Sequence, residues 1–581
     1  MTRELPVRSG SDPEADPVGA DPTGTDPVDA DPTEDAGSTE TVEALADASL
    51  GGGGESLAPY HPLALDPEGK GFWGWVDRTV ARATTLLNPI LVKEARQSLK
   101  SKQFVVTFFL LLTASCLWTV MAIVFNSPDV YFVPSGDSVM GGYFVILSVS
   151  MFAFVPIVAF RSLAAELDEG TYEMLAITRL SAWRIVSGKM NSAMLQMLIY
   201  FSAIVPCLAF TYLLRGIGVS TIALCIAIAF VVATVLTSLG LVLSTVAKGR
   251  TLQTFLLVGL VAFIVIVEFW CCGIVFSGVI PGRWSGTWFG FLSGFGMAFS
   301  FVILFLAAAS ASIAPMTENR STRLRVIMFG QQIFWIVTMS YTAWSLEELE
   351  FLNVGLMFLA VYWFFAGMLM LGESNEISPR VRRGLPSTFG TRALFSWWMP
   401  GPGTGFMFVV STACAGMIVL GLTGMIAEQL GLDRSVQTPP WVVALSMMGL
   451  LVGYLGAVRL LSMPFLARVG PTFVVPLVIA ISMLFVGPIV PCIIDVILGG
   501  EIAGDYTVLH AFNWSWTFIE IFDNGIPMEI AAVTYAVGMM VLLINLISLF
   551  REFRRFRIAV PRRVLEDRAA DEPSGSSAPT A

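Results

Sequence analysis

Charged side chains gather in one polar segment, Arg161 to Met190, which lies between two long apolar runs of the chain. It carries both signs of charge, at Glu166, Glu173, Arg179, Arg184 and Lys189. Side chains of these types form ion pairs, either within a protein or across an interface with a partner. We therefore expect the segment to leave the bilayer and bind a soluble partner. The alternative is an amphipathic loop that lies in the membrane interface without a partner.

Two points in this segment predict local structure. Gly170-Thr171 predicts that one helix ends and another begins, because Gly interrupts helices and Thr is a good first residue for the next one. Ser181 predicts the N-cap of a helix that runs through Arg184 and Lys189 into the following apolar run. Short helices joined directly to apolar spans on both sides can transmit a push from a bound partner.

The carboxylate Glu268 stands inside an apolar run with the sequence VIVEFWCC, and Asp495 lies near the outer end of another apolar run. An ionisable group at that depth is costly and commonly marks a substrate or proton path. The alternative is a carboxyl group that is hydrogen-bonded between helices, and the residues alone leave both interpretations open.

Signatures of enzymes are missing from the sequence. It contains no HExxH, no GxSxG and no GxxxxGK[ST] motif, and its histidines, His61 and His510, are far apart. Metal binding, nucleophilic catalysis and nucleotide binding each need such groups at fixed spacing. We therefore predict no catalytic residue, no metal site and no cofactor in this chain, so that any ATP and Mg²⁺ would be bound by a partner.

Composition defines the class of protein that positions these residues. Hydrophobic residues make up 55% of the chain and charged residues 13%. The apolar residues fall into blocks of about 20, the length of a helix that crosses a bilayer. We predict an all-α polytopic membrane protein with about twelve spans, at 104–125, 140–160, 193–214, 219–247, 252–275, 288–314, 326–344, 351–371, 404–427, 440–462, 472–497 and 528–550.

The charges of the loops predict the orientation. If the N-terminus is inside, the inside loops carry nearly all Arg and Lys residues near the spans, and the outside loops carry only Arg215, Arg283 and Arg434. That is the distribution of a protein with cytoplasmic N- and C-termini. We expect a multi-pass protein of the plasma (inner) membrane.

The sequence divides into five regions. Residues 1–70 form an acidic tail rich in Pro and Gly that we expect to be disordered. Residues 71–103 predict an amphipathic connecting helix in the membrane interface. Residues 104–314 and 326–550 each hold six predicted spans, and 551–581 form a basic tail. The longest inside loop follows the second span of each six, which is compatible with two repeats in the same orientation; a coincidence of loop positions is the alternative.

Two sets of residues resemble the permease subunit of ABC-2 type ABC transporters. The first is Asn88-Pro89-Ile90-Leu91-Val92-Lys93-Glu94, before the first span. The second is Glu166…Gly170-Thr171-Tyr172-Glu173…Leu180-Ser181…Ile185-Val186…Gly188-Lys189, before the third span. The resemblance covers about 88–314, and it implies a connecting helix before the first span and a coupling helix between the second and third spans. The implied coupling-loop residues are Glu166, Gly170, Thr171, Glu173, Arg179, Ser181, Arg184, Gly188 and Lys189.

The resemblance implies a permease that is driven by a separate cytoplasmic ABC ATPase subunit and moves a substrate across the plasma membrane, with export expected. The resemblance also implies a second permease chain as a possible partner, and the lipid bilayer surrounds the spans. Nothing in the sequence indicates binding to a nucleic acid. Two other functions stay open. One is a membrane scaffold or assembly protein without transport activity, and the other is an ion-coupled secondary transporter that uses Glu268.

Overall fold

A computed structural model of the chain describes residues 94, 97, 99–127, 132–169, 181–247, 249–283, 288–314, 320–373, 397–432, 436–470, 472, 474–498 and 506–555. The described residues form helices and their connections, with no strand among them. The predicted acidic tail, most of the predicted connecting helix and the C-terminal residues after 555 lie outside this described part.

Thirteen α-helices are described, and they form two groups in chain order. The first group is α1 (Lys102–Phe125), α2 (Gly136–Asp168), α3 (Ala182–Leu213), α4 (Val219–Val246), α5 (Arg250–Val279) and α6 (Trp288–Ile313). The second group is α7 (Ser321–Leu346), α8 (Glu350–Leu371), α9 (Pro402–Gln429), α10 (Pro440–Val469), α11 (Val474–Ile497) and α13 (Met528–Arg555), with the short α12 (Trp514–Glu520) between the last two. All except α7 and α12 are long and apolar enough to cross a membrane, which makes eleven such helices in the described part of the chain.

On both sides of the polar segment the helices extend beyond the predicted apolar spans. α2 continues past the predicted span limit near 160 to Asp168, just before the predicted break at Gly170-Thr171, and α3 begins at Ala182, directly after the predicted cap Ser181. Leu163 and Ala164 at the end of α2, and Ile185 and Val186 at the start of α3, are buried. Helix continues beyond the most apolar stretch because these side chains still pack against other helices.

The predicted span at 326–344 lies within α7, the one long helix that is less apolar than the rest. Its hydropathy is lowered by Gln331 and Gln332, both of which are buried. α7 nevertheless runs antiparallel to α6 over its whole length: Arg320, just before α7, contacts Ala314, Gln331 contacts Ser300, and Tyr341 contacts Phe289. α7 also runs antiparallel to α8: Trp335 contacts Gly355, and Arg325, nearer the start of α7, contacts Glu373, just after the end of α8.

Buried apolar side chains form separate cores in the two groups. The first group has one core around Tyr143 and Met197 and a smaller one around Leu163 and Val186, and the second group has a core around Trp363. The main contact between the groups runs along α6 and α7. Each group therefore buries its own apolar surface.

Glycines let α10 and α13 come into backbone contact. A Cβ atom placed on Gly449 would lie 2.5 Å from the backbone of Thr534, and one placed on Gly538 would lie 2.6 Å from the carbonyl oxygen of Gly449. Close approach at small residues is the usual means of helix association in membranes, where dispersion contacts replace the hydrophobic effect.

Gly449→Ala is expected to lower the thermal unfolding temperature of the protein purified in detergent. The added methyl group fits only if α10 and α13 separate, which costs about 1–3 kcal/mol. Gly259→Ala on α5 is the matched control, because a Cβ there meets nothing within 4 Å. Both changes alter helix propensity equally, so identical unfolding temperatures would contradict the close packing of α10 on α13.

Candidate functional site

The start of α3 holds four of the residues that the sequence singles out. Ser181 caps the helix by accepting a hydrogen bond from the backbone N–H of Arg184, as predicted. Arg184 is exposed, whereas Gly188 and Lys189 are buried. The first turn of α3 therefore faces outward, and the second turn faces other helices.

Lys189 is the centre of a buried cluster, which we call the first junction. Its ammonium group lies 2.9 Å from Glu166 Oε1 and 3.4 Å from Glu94 Oε1. It also donates a hydrogen bond of 2.8 Å to Ser162 Oγ. Lys189 is only 4% exposed. The first junction thus joins the start of α3 and the end of α2 to Glu94, which precedes α1.

The end of α2 makes one further polar contact. Gln253 Nε2, in the first turn of α5, donates a hydrogen bond of 2.8 Å to Asp168 Oδ2. This hydrogen bond is accessible to water, so we expect it to contribute about 1 kcal/mol or less. α2 therefore connects to three other elements at one end of the first group.

The sequence predicts Glu166 and Lys189 as contacts for a partner, and the structure places them against each other. Lys189 has almost no exposed surface, so its position fits a link between helices better than a direct contact with another protein. Gly170, Thr171, Glu173 and Arg179 lie outside the described residues, and their predicted role stays a prediction. Arg184 and Ser181 are exposed at the edge of that segment.

A second buried ion pair lies in the second group, and sequence reasoning missed it. Arg325 of α7, which is fully buried, lies 2.7 Å from Glu373 Oε2, just after α8. Glu373 also accepts hydrogen bonds from Ser321 Oγ at 3.2 Å and from the backbone N–H of Gly401 at 2.9 Å. We call Ser321, Arg325, Glu373 and Gly401 the second junction. The sequence gives little signal for this pair, because Arg325 directly precedes the predicted span at 326–344 and resembles the other loop cations.

Glu268 lies within α5 and faces α2. Ser148 Oγ donates a hydrogen bond of 2.5 Å to Glu268 Oε1, and Cys272 Sγ lies 3.5 Å from the same oxygen. Glu268 Oε2 is shielded from solvent and has no hydrogen-bond partner in the described part of the chain. The carboxyl group is therefore half satisfied by protein, which leaves one oxygen for a proton or a ligand.

Both helices that meet at Glu268 contain a π-helical turn close to it. α2 has one at Ser150–Phe154, two residues after Ser148, and α5 has one at Val275–Val279, three residues after Cys272. Such turns are rare and occur frequently at functional sites. A cavity of about 650 Å³ lies along the same seam, lined by Gly141 and Val145 of α2 and by Phe276 of α5.

These features define a polytopic α-helical membrane protein with polar junctions at helix ends and a carboxyl group, that of Glu268, within an apolar helix. Comparison with protein-family models, with curated proteins and with solved structures finds no match to this chain. The function must therefore be argued from the residues and their geometry.

Lys189→Met is expected to destabilise the protein by about 3–5 kcal/mol, because it leaves the carboxylates of Glu94 and Glu166 together without their cation. The readout is the thermal unfolding temperature in detergent. Adding Glu94→Gln and Glu166→Gln to Lys189→Met should recover part of the loss, since the neutral amides no longer repel each other.

The control for this series is Arg250→Met, which removes an exposed cation at the start of α5. It should change the unfolding temperature little, because exposed charges contribute about 1 kcal/mol or less. If Lys189→Met and Arg250→Met behaved alike, the first junction would not hold the helix ends together.

Proposed function

We propose that this chain is the permease subunit of an ABC-2 type transporter, in which a separate ATPase subunit hydrolyses ATP and this chain moves the substrate. The proposal includes a location in the plasma (inner) membrane, cytoplasmic N- and C-termini and a direction of export. The charge distribution of the loops supports the orientation, and the residues of the first junction support the class.

The first junction is the observation that carries this proposal. Glu94 belongs to the motif before α1, Glu166 to the start of the polar segment and Lys189 to its Gly-Lys end. These three positions of the ABC-2 resemblance are far apart in sequence, and they meet in one ion-paired cluster. If the resemblance were due to chance, there would be no reason for these three charged residues to lie in contact with one another.

The junction also suggests how a partner could act on the membrane helices. The segment 170–180 connects α2 to α3, and Lys189 ties those two helices to each other a few residues away. A push on the segment would then move α2 and α3 together instead of spreading them apart. In this mechanism Lys189 and Glu166 are positioning residues, and the contact with the ATPase is made by the exposed Arg184 and by residues of the connecting segment.

We further propose that α7 is the twelfth crossing. Its antiparallel course between α6 and α8 supports a membrane-spanning helix, and its buried amides account for its lower hydropathy. Gln331 accepts a hydrogen bond of 2.7 Å from Tyr362, while Gln332 accepts one of 2.6 Å from Trp363 and donates one of 2.8 Å to the carbonyl of Thr412. Polar side chains are tolerated within a membrane when neighbouring helices satisfy them. Twelve crossings place both termini on the same side.

Reversing two charges of the polar segment, Glu173→Lys with Arg184→Glu, tests the docking role. We expect at least tenfold less ATPase subunit to co-purify in mild detergent, since unfavourable charges at an interface cost several kcal/mol. Transport coupled to ATP hydrolysis should fall in parallel, with membrane insertion unchanged.

The matched control reverses two charges at the opposite end of the helices, Arg283→Glu with Glu350→Lys. It should leave the ATPase bound. Unchanged ATPase recovery with the Glu173 and Arg184 variant would refute the docking role. Recovery of no ATPase subunit with the unaltered protein would instead favour the scaffold function.

Ion-coupled secondary transport is the second candidate function, and the half-satisfied carboxyl group of Glu268 is the observation that favours it. Under this alternative, Glu268→Gln should abolish proton flux in proteoliposomes, because the amide of Gln cannot bind and release a proton as a carboxyl group does. Ser148→Ala, which removes only the hydrogen bond to Oε1, should retain flux. If the protein transports by the proposed ATP-driven mechanism, Glu268→Gln should leave ATP-dependent transport unchanged, because that transport does not depend on a flux of protons.

A further inference from the structure

We infer that a crevice between α3, α6 and the start of α7 binds an anionic phospholipid, with the lipid phosphate held by Arg320 and Arg323. The crevice has a volume of about 490 Å³, which is in the range of pockets that hold small organic molecules. It lies where α3 and α7 begin and α6 ends. Its assignment to the inner leaflet rests on the proposed orientation, whereas the site itself rests on the residues that line it and not on a transport function.

Two arginines form the charged part of the crevice, at the start of α7. Arg320 and Arg323 are three residues apart, a spacing that places side chains next to each other on one face of a helix. Among the described residues, none forms an ion pair with either of them. The guanidinium group binds phosphate well, because its planar N–H donors match two phosphate oxygens at once. An anion between the two arginines would therefore neutralise both.

Arg320 is also incompletely bonded by the protein. It donates a hydrogen bond from Nη2 to the carbonyl oxygen of Ala314, just after α6. Its Nε is shielded from solvent and has no hydrogen-bond partner in the described part of the chain. A buried donor without an acceptor is costly. A ligand oxygen in the crevice would supply the missing acceptor.

The second junction does not neutralise these arginines. Its carboxylate, Glu373, binds Arg325 and Ser321. At 3.6 residues per turn, Arg325 lies about 140° around α7 from Arg320 and about 160° from Arg323. The start of α7 therefore carries cations on two faces, one paired within the protein and one directed into the crevice.

The polarity of the lining changes along the crevice as a phospholipid requires. Arg320 and Arg323 lie at the helix end, and Ile327 lies one turn further along α7. The other wall consists of small and apolar side chains that follow α6 inward from its end: Ala314, Ala311, Ser310, Ala307 and Ile303. The Ser310 hydroxyl is bonded to the carbonyl of Ala307, so it does not need a ligand. A free phosphate ion would use only the charged end, whereas a lipid would fill the apolar part with an acyl chain.

α3 contributes an aromatic side chain to the same crevice. Trp183, in the first turn of α3, is 36% exposed and lines the crevice together with Ser181 and Ala182. Tryptophan is enriched at the level of the lipid headgroups, and basic pockets between membrane helices on the cytoplasmic side bind anionic headgroups. Because α3 and α6 belong to the first group and α7 to the second, a lipid bound here would lie on the seam between the two groups.

The test is a lipid titration of the full chain in mild detergent, with bound lipid counted by native mass spectrometry. Phosphatidylglycerol is compared with phosphatidylcholine of the same acyl chains and with inorganic phosphate. We expect phosphatidylglycerol to bind at least about tenfold more tightly than phosphatidylcholine, because the choline group cancels the charge that the arginines attract. Equal affinity for the two lipids would overturn the inference. Displacement of phosphatidylglycerol by an equal concentration of inorganic phosphate would also overturn it, by making a free anion the ligand.

Two double variants place the bound lipid at the arginines. Arg320→Gln with Arg323→Gln should weaken binding of the first phosphatidylglycerol at least about tenfold, because both charged donors to the phosphate are lost. The matched control is Arg161→Gln with Arg250→Gln, which removes two exposed cations from the same end of the bundle but outside the crevice. It should retain the affinity of the unaltered protein. An equal loss in both double variants would reduce the effect to net charge and overturn the site.

A single variant tests the apolar part of the crevice and keeps both arginines. Ala311→Phe should weaken binding of phosphatidylglycerol, because the added ring occupies the space of the acyl chain. Ser312→Phe, which adds the same ring at an exposed position of α6 outside the crevice, should not. This comparison decides the question even if the double variant at Arg320 and Arg323 fails to fold. Unchanged affinity in a folded Ala311→Phe protein would show that the lipid does not lie in the crevice.

Discussion

A charge that is removed from water inside a bundle of membrane helices must be paired, and the arrangement of helix ends follows from that constraint. Lys189 is 4% exposed and contacts two carboxylates. The cost of removing such charges from water offsets most of their attraction, so the cluster contributes little net stability. What it supplies is a single geometry, because any displacement of α2 or α3 would leave a buried charge unpaired. The same reasoning applies to Arg325 and Glu373.

Satisfaction of polar groups also explains α7, the helix that connects the two groups. Its amides are bound by Ser300 of α6 and by Tyr362 and Trp363 of α8. A helix with two adjacent glutamines is poorly suited to face lipid, and here the glutamines face protein on both sides. α7 is therefore held between the groups by directed hydrogen bonds, whereas α10 and α13 are held by the close contact of small residues.

The sequence predicts the class of fold well, since blocks of apolar residues report directly on helices that cross a membrane. It also predicts the cap at Ser181, and it singles out Glu166 and Lys189 as contacts for a partner, whereas the structure places them against each other. It does not predict which charges pair with each other, because Glu94 and Lys189 are separated by almost one hundred residues and meet only after three helices pack. The limits of the apolar spans do not give the ends of these helices, because α2 and α3 continue beyond the most apolar residues, where Leu163 and Ile185 are buried by tertiary contacts. The second junction was missed because Arg325 looks like an ordinary loop cation until Glu373 is placed beside it.

α2 connects the intramembrane carboxyl group to the first junction. Ser148, which binds Glu268, and Glu166, which binds Lys189, lie on this one helix about 27 Å apart at 1.5 Å per residue. The π-helical turn at Ser150–Phe154 lies between them and ends two residues before Pro156. Pro156 has no N–H to donate to the carbonyl of Phe152, so the regular hydrogen-bond pattern cannot continue there. α4 packs closely on this point, since a Cβ on Gly240 would lie 3.0 Å from the carbonyl oxygen of Pro156. A displacement of the first junction would therefore be transmitted along α2 to the neighbourhood of Glu268. The π-helical turn lies on that path, and α4 packs against α2 beside it.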